Sequence, residues 1–169
     1  PANSNSLINN SILVIEEDRA GVLWLGTFNS GMNSFDPKTG TFKRYVNNAS
    51  DPNSLSDNRV YDILEDREGF IWIGTYGGGL NKLDKTTGRI TAYKHDEKNK
   101  TSISSNSVWT IDEDDSHNLW LGTFGGGLSI FDRTKETFTN FKNDPNDPSS
   151  LGDDNIIRVF KDSKNNMWI

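Results

Sequence analysis

The tetrapeptide Trp72-Ile73-Gly74-Thr75 decides the fold, because near-identical tetrapeptides occur elsewhere in the chain at a constant distance. Matching copies begin at Trp24 and Trp120, and Trp168 begins a fourth that Ile169 continues. Each of these tryptophans lies 48 residues after the one before it (72 − 24 = 48). A constant step of this length indicates a repeat architecture, in which each copy is one supersecondary unit.

The step divides the chain into units that begin at Leu7. There are three complete units and 19 residues of a fourth (169 − 150 = 19). The units span 7–54, 55–102, 103–150 and, incomplete, 151–169. Other positions keep the same step, among them Asp18, Asp66, Asp114 and Asp162.

Each unit is predicted to form four short strands. In the second unit they are Val60–Leu64, Phe70–Thr75, Leu80–Leu83 and Ile90–Tyr93. Short runs of β-branched and aromatic residues between turn-forming residues are typical of antiparallel strands, and a 48-residue unit of four strands has the size of a propeller blade. We therefore predict an all-β fold in which residues 1–169 form a partial β-propeller of about three and a half blades.

One turn position supports this fold independently. The residue just before the second strand is Gly21, Gly69, His117 or Asn165. Glycine tolerates a positive φ, and Asn and His are among the few other residues enriched there. We expect a left-handed residue at this position in all four units.

Composition limits the partners. The chain carries 18 Lys and Arg against 24 Asp and Glu, a net charge of −6, so we expect no nucleic-acid partner. It has no cysteine, and therefore no disulfide or thiolate site. Its apolar runs are too short to span a bilayer, so we expect no membrane contact by this segment. Because it begins at Pro1, we interpret it as a piece of a longer polypeptide.

The sequence contains no pattern that predicts catalysis, a metal or a cofactor. His95 and His117 lie in different units without partners at a ligand or triad spacing, so both are interpreted as solvated residues. The Gly77-Gly78-Gly79 run joins two strands, whereas a nucleotide loop leads into a helix. We predict a non-catalytic segment with no metal and no cofactor.

The repeated residues are predicted to be structural. Trp24, Trp72 and Trp120 hold one position in every blade, and a ligand site has no use for three symmetric copies, so they are assigned to the core and Trp168 to the same repeat position. Gly26, Gly74 and Gly122 are expected to allow close approach of strands or blades. Phe28, Tyr76 and Phe124, which follow each Gly-Thr, are likewise interpreted as packing residues.

Functional residues are expected where the units differ, on the first strand of each blade. The most variable position holds Val14, Asp62, Thr110 and Arg158, as an asymmetric channel lining would. The neighbouring positions hold Ser11, Arg59, Ser107 and Asn155, and Leu13, Tyr61, Trp109 and Ile157. Aromatic platforms beside polar groups suit an oligosaccharide. The candidate ligand-binding residues are therefore Arg59, Tyr61, Asp62, Trp109, Thr110 and Arg158, and the alternative is that Tyr61 and Trp109 only pack between blades.

Residues 58–81 resemble the two-component regulator propeller repeat, through the pattern Asn-x-Val-x-x-Ile, Glu-Asp and Trp-Ile-Gly-Thr-x-Gly-Gly-Gly-Leu-Asn. The resemblance implies seven-bladed propellers, often in tandem, in the periplasmic sensor part of inner-membrane hybrid histidine kinases that control polysaccharide use in Bacteroidetes. It implies a ligand-sensing segment with a glycan-derived signal, and a kinase located elsewhere in the parent chain.

Two further questions stay open at this stage. The alternative function is an interaction scaffold whose rim binds protein. The end blades would expose their faces, so either the remaining blades of the parent chain or a second copy of this half-propeller is expected to cover them.

Overall fold

The computed structural model describes residues 5–169, and over this range the fold is all-β. The strands are β1 (Ile12–Glu17), β2 (Leu23–Thr27), β3 (Met32–Asp36), β4 (Thr41–Tyr45), β5 (Val60–Glu65), β6 (Ile71–Thr75), β7 (Leu80–Leu83), β8 (Ile90–Tyr93), β9 (Val108–Glu113), β10 (Leu119–Thr123), β11 (Gly127–Asp132), β12 (Thr137–Phe141), β13 (Phe160–Lys161) and β14 (Met167–Trp168). Within these residues no helix is long and apolar enough to cross a membrane.

The strands form one antiparallel sheet per repeat unit. β1–β4, β5–β8 and β9–β12 make three four-stranded sheets in chain order, and β13–β14 make a two-stranded sheet. We call these sheets blades 1 to 4. The loops before the first strand and between the second and third strands lie at one end of each blade, the upper rim. The turns between the first and second, and the third and fourth, strands lie at the other end, the lower rim.

The four-stranded blade and the left-handed turn position are confirmed. In blade 2 two strands have the predicted limits, while β5 ends one residue later and β6 begins one residue later than expected. The residue before each second strand has a positive φ, with values of 83° at Gly21, 92° at Gly69, 64° at His117 and 66° at Asn165. The turn geometry therefore explains all four residue types at this position.

Each repeated tryptophan is tied to an aspartate six residues earlier. The indole Nε1 donates to the carboxylate Oδ2 over 2.7–3.0 Å in Asp18–Trp24, Asp66–Trp72, Asp114–Trp120 and Asp162–Trp168. The other carboxylate oxygen accepts backbone N–H groups of the turn, as Asp18 does from Ala20 and Val22. The aspartate thus caps the lower-rim turn and fixes the indole that enters the core.

The predicted core role is confirmed for Trp24 and Trp72, which are 3% and 0% exposed. Trp120 is only partly buried and Trp168 is 58% exposed. The physical reason is the shortened fourth sheet. At the complete junctions the strands of the next blade cover the tryptophan, as Ile71, Leu83 and Ile90 do around Trp24.

The repeated glycines allow the blades to meet, as predicted. A Cβ on Gly26 would lie 2.5 Å from Val60 Cγ1 of the next blade, and one on Gly122 would lie 2.7 Å from Ile156 Cγ2. At Gly74 it would lie 2.9 Å from the carbonyl oxygen of Val108. A side chain at these positions would push neighbouring blades apart.

The blades are also joined by repeated hydrogen bonds at the upper rim. The N–H of Gly79 donates to the carbonyl oxygen of Asn106 in the next blade (2.9 Å). The amide oxygen of Asn106 accepts from the N–H of His95 (2.8 Å), which precedes it in the inter-blade loop. Equivalent bonds at the other junctions involve Gly31, Asn47 and Asn58, and Gly127, Asn143 and Asp154. These bonds orient consecutive blades and leave the upper-rim loops free to differ.

Candidate functional site

Four aromatic rings stack along the upper rim across the boundary of blades 2 and 3. Ring centroids are 5.8 Å apart for Tyr76 and Tyr61, 5.9 Å for Tyr61 and Trp109, and 4.9 Å for Trp109 and Phe124. The planes of Tyr61 and Trp109 differ by 9°. We call these four residues the aromatic ladder.

A β-bulge in the first strand of blades 2 and 3 positions the central rings. In blade 2, Val60 pairs with Thr75 and Asp62 with Gly74, so Tyr61 is the extra residue. Trp109 is the extra residue at the equivalent place in blade 3. A bulge bends the strand and re-aims the side chain at the extra position. The bulges thus bring side chains of two different blades into one stack.

The ladder includes two residues that the sequence did not single out as ligand-binding. Tyr76 and Phe124 were expected to be packing residues, yet Phe124 is 44% exposed, and Phe28 at the same position of blade 1 is 50% exposed. The recurrence of an aromatic residue after each Gly-Thr favoured packing. The position of Tyr76 and Phe124 at the start of an upper-rim loop could have identified them as candidate ligand-binding residues.

Arg59 extends the ladder with a positive charge. Its guanidinium carbon lies 4.7 Å from the centroid of the Tyr76 ring. Its Nε and Nη2 donate to the two carboxylate oxygens of Asp57, over 3.0 and 2.6 Å. Burial alone would raise the pKa of Asp57, but these bonds and the charge of Arg59 lower it. The pair is therefore ionised at neutral pH, and it stands beside the aromatic surface.

The structure gives Asp62 and Thr110 a place between blades. Asp62 is 8% exposed, and its Oδ2 accepts from the N–H of Ile111 (2.8 Å) in blade 3. Thr110 is 1% exposed, and its Oγ1 accepts from the N–H of Val159 (3.3 Å) in blade 4. The residue type at this repeat position therefore varies because each junction uses a different hydrogen bond between blades. A ligand role for Asp62 and Thr110 stays a prediction.

Burial sets the protonation behaviour of Asp62. Desolvation raises the pKa of its carboxyl above the ordinary value, while the N–H groups of Ile111 and Ile63 and the charge of Arg158 act in the opposite direction. Arg158 itself is exposed on the incomplete blade 4. The structure thus brings the charge of Arg158 into the field of Asp62, but it does not bring Arg158 to the ladder.

His95 is exposed, as the sequence interpretation expects, and its ring also makes a structural hydrogen bond. Its Nδ1 lies 2.7 Å from the carbonyl oxygen of Ile103, where Asn47 uses its side-chain N–H₂ to reach Leu55. A donor at Nδ1 serves the same purpose as the amide. His117 lies on its turn with half of its side chain exposed. Among the described residues, no group of three or more potential ligands is placed to hold a metal.

A cavity of about 550 Å³ lies away from the ladder. Trp120, Leu128 and Leu151 line it, with Ile169 at its edge. At the complete junctions the third and fourth strands of the following blade fill this position. We therefore attribute the cavity to the shortened blade 4 and not to a ligand site.

The fold and rim define an array of propeller blades. The family model described as "Two component regulator propeller" matches residues 6–29, 54–77 and 102–125. Each match begins in the loop before a blade and ends in the upper-rim loop after its second strand. The chain therefore contains three segments that match the two-component regulator propeller repeat.

Solved structures of two extracellular domains are similar to almost the whole of this chain. The extracellular domain of a protein described as a hybrid two-component system of B. thetaiotaomicron, BT3049, is 25% identical with a TM-score of 0.83, and the match covers 99% of this chain and 22% of that one. The extracellular domain of a second such system, BT4673, is 26% identical with a TM-score of 0.79, over 99% and 21%. This chain thus spans about a fifth of the length of these relatives.

A third structure resembles the chain in fold alone. Virginiamycin B lyase from Staphylococcus aureus is 14% identical, with a TM-score of 0.69 over 97% of this chain and 50% of that one. At this identity only the propeller architecture is shared, so no lyase chemistry follows. No curated protein matches the sequence.

Proposed function

We propose that this chain is a non-catalytic part of the extracytoplasmic ligand-sensing propeller of a hybrid two-component histidine kinase, with a glycan-derived signal. The family repeats and the similarity to extracellular domains of hybrid two-component systems support the sensor role. The kinase would lie in another part of the parent chain. The aromatic ladder is the observation that carries the choice of ligand.

The ladder has the surface that a sugar requires. Sugars offer apolar ring faces and many hydroxyl groups, and aromatic side chains with a few fixed polar groups bind both. Phe124 is half-exposed at one end of the ladder, and the Arg59–Asp57 pair supplies donors and acceptors at the other. Tyr61 and Trp109 form the central platform.

The position of the ladder links ligand binding to blade geometry. Tyr61 belongs to blade 2 and Trp109 to blade 3, so a ligand lying across the edges of both rings contacts two blades at once. A ligand shifts a signalling equilibrium only through different affinities for its two states. We infer that the signal depends on how the two blades are placed relative to each other.

The experiment is calorimetry of the protein with a panel of oligosaccharides. The variant Trp109→Ala is expected to weaken binding by about tenfold or more, because an aromatic anchor is removed. Trp168→Ala, an exposed tryptophan on blade 4, serves as the matched control. Circular dichroism and the more conservative Tyr61→Leu show whether a loss reflects misfolding. If both tryptophan variants bind like the parent, the ladder is not the site.

A protein-binding rim is the second candidate, and the exposure of Phe28 favours it. Phe28 is 50% exposed and stands outside the ladder, on a loop where Asn29-Ser30 replaces the paired glycines of the other blades. A scaffold would lose partner binding on Phe28→Ala while tolerating Trp109→Ala. A glycan sensor would show the reverse.

The leading face of blade 1 requires a covering surface in this proposal. Ile15 is 60% exposed, whereas the equivalent Ile63 is 3% and Val159 is 0% exposed because a preceding blade covers them. We propose that a further blade of the parent chain fills this place, with a second copy as the alternative. Analytical ultracentrifugation distinguishes them, since a concentration-dependent dimer supports the second copy.

A further inference from the structure

The guanidinium of Arg59 is fixed along one edge and open along the other. Nε and Nη2 are held by the carboxylate of Asp57, and the ring of Tyr76 lies against its face. The backbone N–H of Arg59 also donates to Asp57 (2.8 Å), which sets the direction of the side chain. Among residues 5–169, Nη1 has no hydrogen-bond partner. The outer edge, formed by Nη1 and the second hydrogen of Nη2, therefore faces solvent in a fixed orientation.

Blade assembly does not account for this arginine. At the same position in blade 3, the hydroxyl of Ser107 donates to the carbonyl oxygen of Tyr76 in blade 2. In blade 4, Asn155 accepts from the N–H of Gly125 in blade 3 (3.0 Å). Both residues connect their blade to the preceding upper-rim loop. Within the described part of the chain Arg59 makes no such bond to blade 1, and its contacts with Asp57 and Tyr76 lie in its own blade.

The loop opposite Arg59 leaves space for this arrangement. A Cβ on Gly77 would lie 2.8 Å from Nη2 of Arg59 and 2.8 Å from Oδ2 of Asp57. Gly77 does not have a positive φ, so its backbone does not require glycine. Its lack of a side chain permits the ion pair to lie against the loop.

We propose that the open edge of Arg59 binds the carboxylate of an acidic sugar, a uronate, whose ring lies along the aromatic ladder. This inference rests on the proposed glycan-sensing function. Two parallel N–H groups of a guanidinium match the two oxygens of a carboxylate. Since Asp57 already balances the charge, recognition depends on the paired hydrogen bonds and their direction. An ammonium group would not replace them.

The probes are tri-galacturonate and its methyl ester, which differ in charge and keep the same sugar ring. Calorimetry of the full chain is expected to give an affinity for the acid at least about tenfold higher than for the ester. Arg59→Lys keeps the charge but loses the fork, so it should weaken binding of the acid far more than binding of the ester and remove most of that preference. Arg89→Lys, an exposed arginine of the same blade, is the control.

Gly77→Ala provides a second test that alters neither charge. The added methyl group displaces the Arg59–Asp57 pair, so the preference for the acid should fall with little change in the thermal midpoint. Equal affinities for acid and ester, both weakened by Trp109→Ala, would overturn this inference and leave the glycan-sensing proposal standing. Failure of both probes and of the whole oligosaccharide panel would overturn both.

Discussion

The carboxylate of Asp115 in blade 3 and the ammonium of Lys161 in blade 4 form an ion pair (Oδ1–Nζ, 3.1 Å) of reversed polarity. At the two preceding junctions the earlier blade supplies the cation and the later blade the anion, in the pairs Arg19–Glu65 and Arg67–Glu113. At the third junction both charges are exchanged, so that the earlier blade supplies the anion and the later blade supplies the cation. A blade with a glutamate at this position would therefore be repelled by Asp115, and the lower rim favours one order of blades.

The variant Lys161→Glu tests this complementarity. It places two carboxylates in contact and should lower the free energy of unfolding only slightly, because half of the Asp115 side chain is exposed. Because Asp115 also pairs with Arg67 (3.0 Å), the change is also made in an Asp115→Asn background, where Lys161→Glu should cost less. Urea titrations measure both, and in 1 M salt the differences should nearly vanish. An equal cost of Lys161→Glu in both backgrounds would contradict an electrostatic contact.

The buried tryptophans should differ sharply from the exposed one. Trp72 is 0% exposed and packs against Phe131 of the next blade, with ring centroids 5.7 Å apart. Trp72→Ala is expected to cost about 3–5 kcal/mol, because it leaves a cavity between two blades. Trp168→Ala should cost less than about 1 kcal/mol. Denaturant titration compares them, and a loss below 1 kcal/mol for Trp72→Ala would contradict its role in the core.

The repeat made the scaffold predictable, and its exceptions made the site harder to predict. Each blade repeats the same local physics, so the strand limits and the left-handed positions at His117 and Asn165 follow from aligned residues. The ladder depends on bulges, which shift a side chain by one residue and leave no mark in the repeat. Variation at the Asp62 position was attributed to a ligand, but hydrogen bonds specific to one junction also produce variation.

Glu136 occupies a strained position that glycine holds in the other blades. Its φ is 53°, whereas Gly40 and Gly88 at the same place have 68° and 74°. Relief of the left-handed conformation should exceed the entropy cost of glycine, so Glu136→Gly is expected to stabilise the protein by about 0.5 kcal/mol. Glu136→Gln keeps the strain and is the control. Thermal and urea unfolding measure the difference, and a destabilised glycine variant would contradict it.

The same variants should change the titration of Tyr93. Burial, with the charge and hydrogen bond of Glu136, raises the pKa of Tyr93 to about 12. Loss of the carboxylate in Glu136→Gln should lower this value, but burial should keep it above the ordinary 10.0. Tyrosinate absorbance, with Tyr93→Phe subtracted, follows this group alone. An unchanged titration would place Glu136 away from the hydroxyl in solution.

The lower-rim ion pairs predict a specific dependence of stability on pH. Lys85 of blade 2 contacts Asp18 of blade 1 and Glu65 of its own blade, with Nζ–O distances of 3.0 and 2.5 Å. Burial alone would raise the pKa of both carboxyls, but hydrogen bonds lower it. Trp24 and Lys85 donate to Asp18, and Lys85 and Arg19 donate to Glu65. A carboxyl with a lowered folded-state pKa stabilises the fold above its unfolded pKa, and this contribution is lost as pH falls through the folded value.

Lys85→Met should therefore be less stable than the parent by about 2 kcal/mol at pH 7, because two buried carboxylates lose a charged donor. The difference should remain constant down to about pH 4.5 and shrink as pH falls below the unfolded values of about 3.9 and 4.3. Urea unfolding between pH 2 and 7 measures it, with Lys98→Met, an exposed lysine of the loop between blades 2 and 3, as the control. If the stability difference between the parent and Lys85→Met grew as the pH fell, Asp18 and Glu65 could not be the source of the pH dependence.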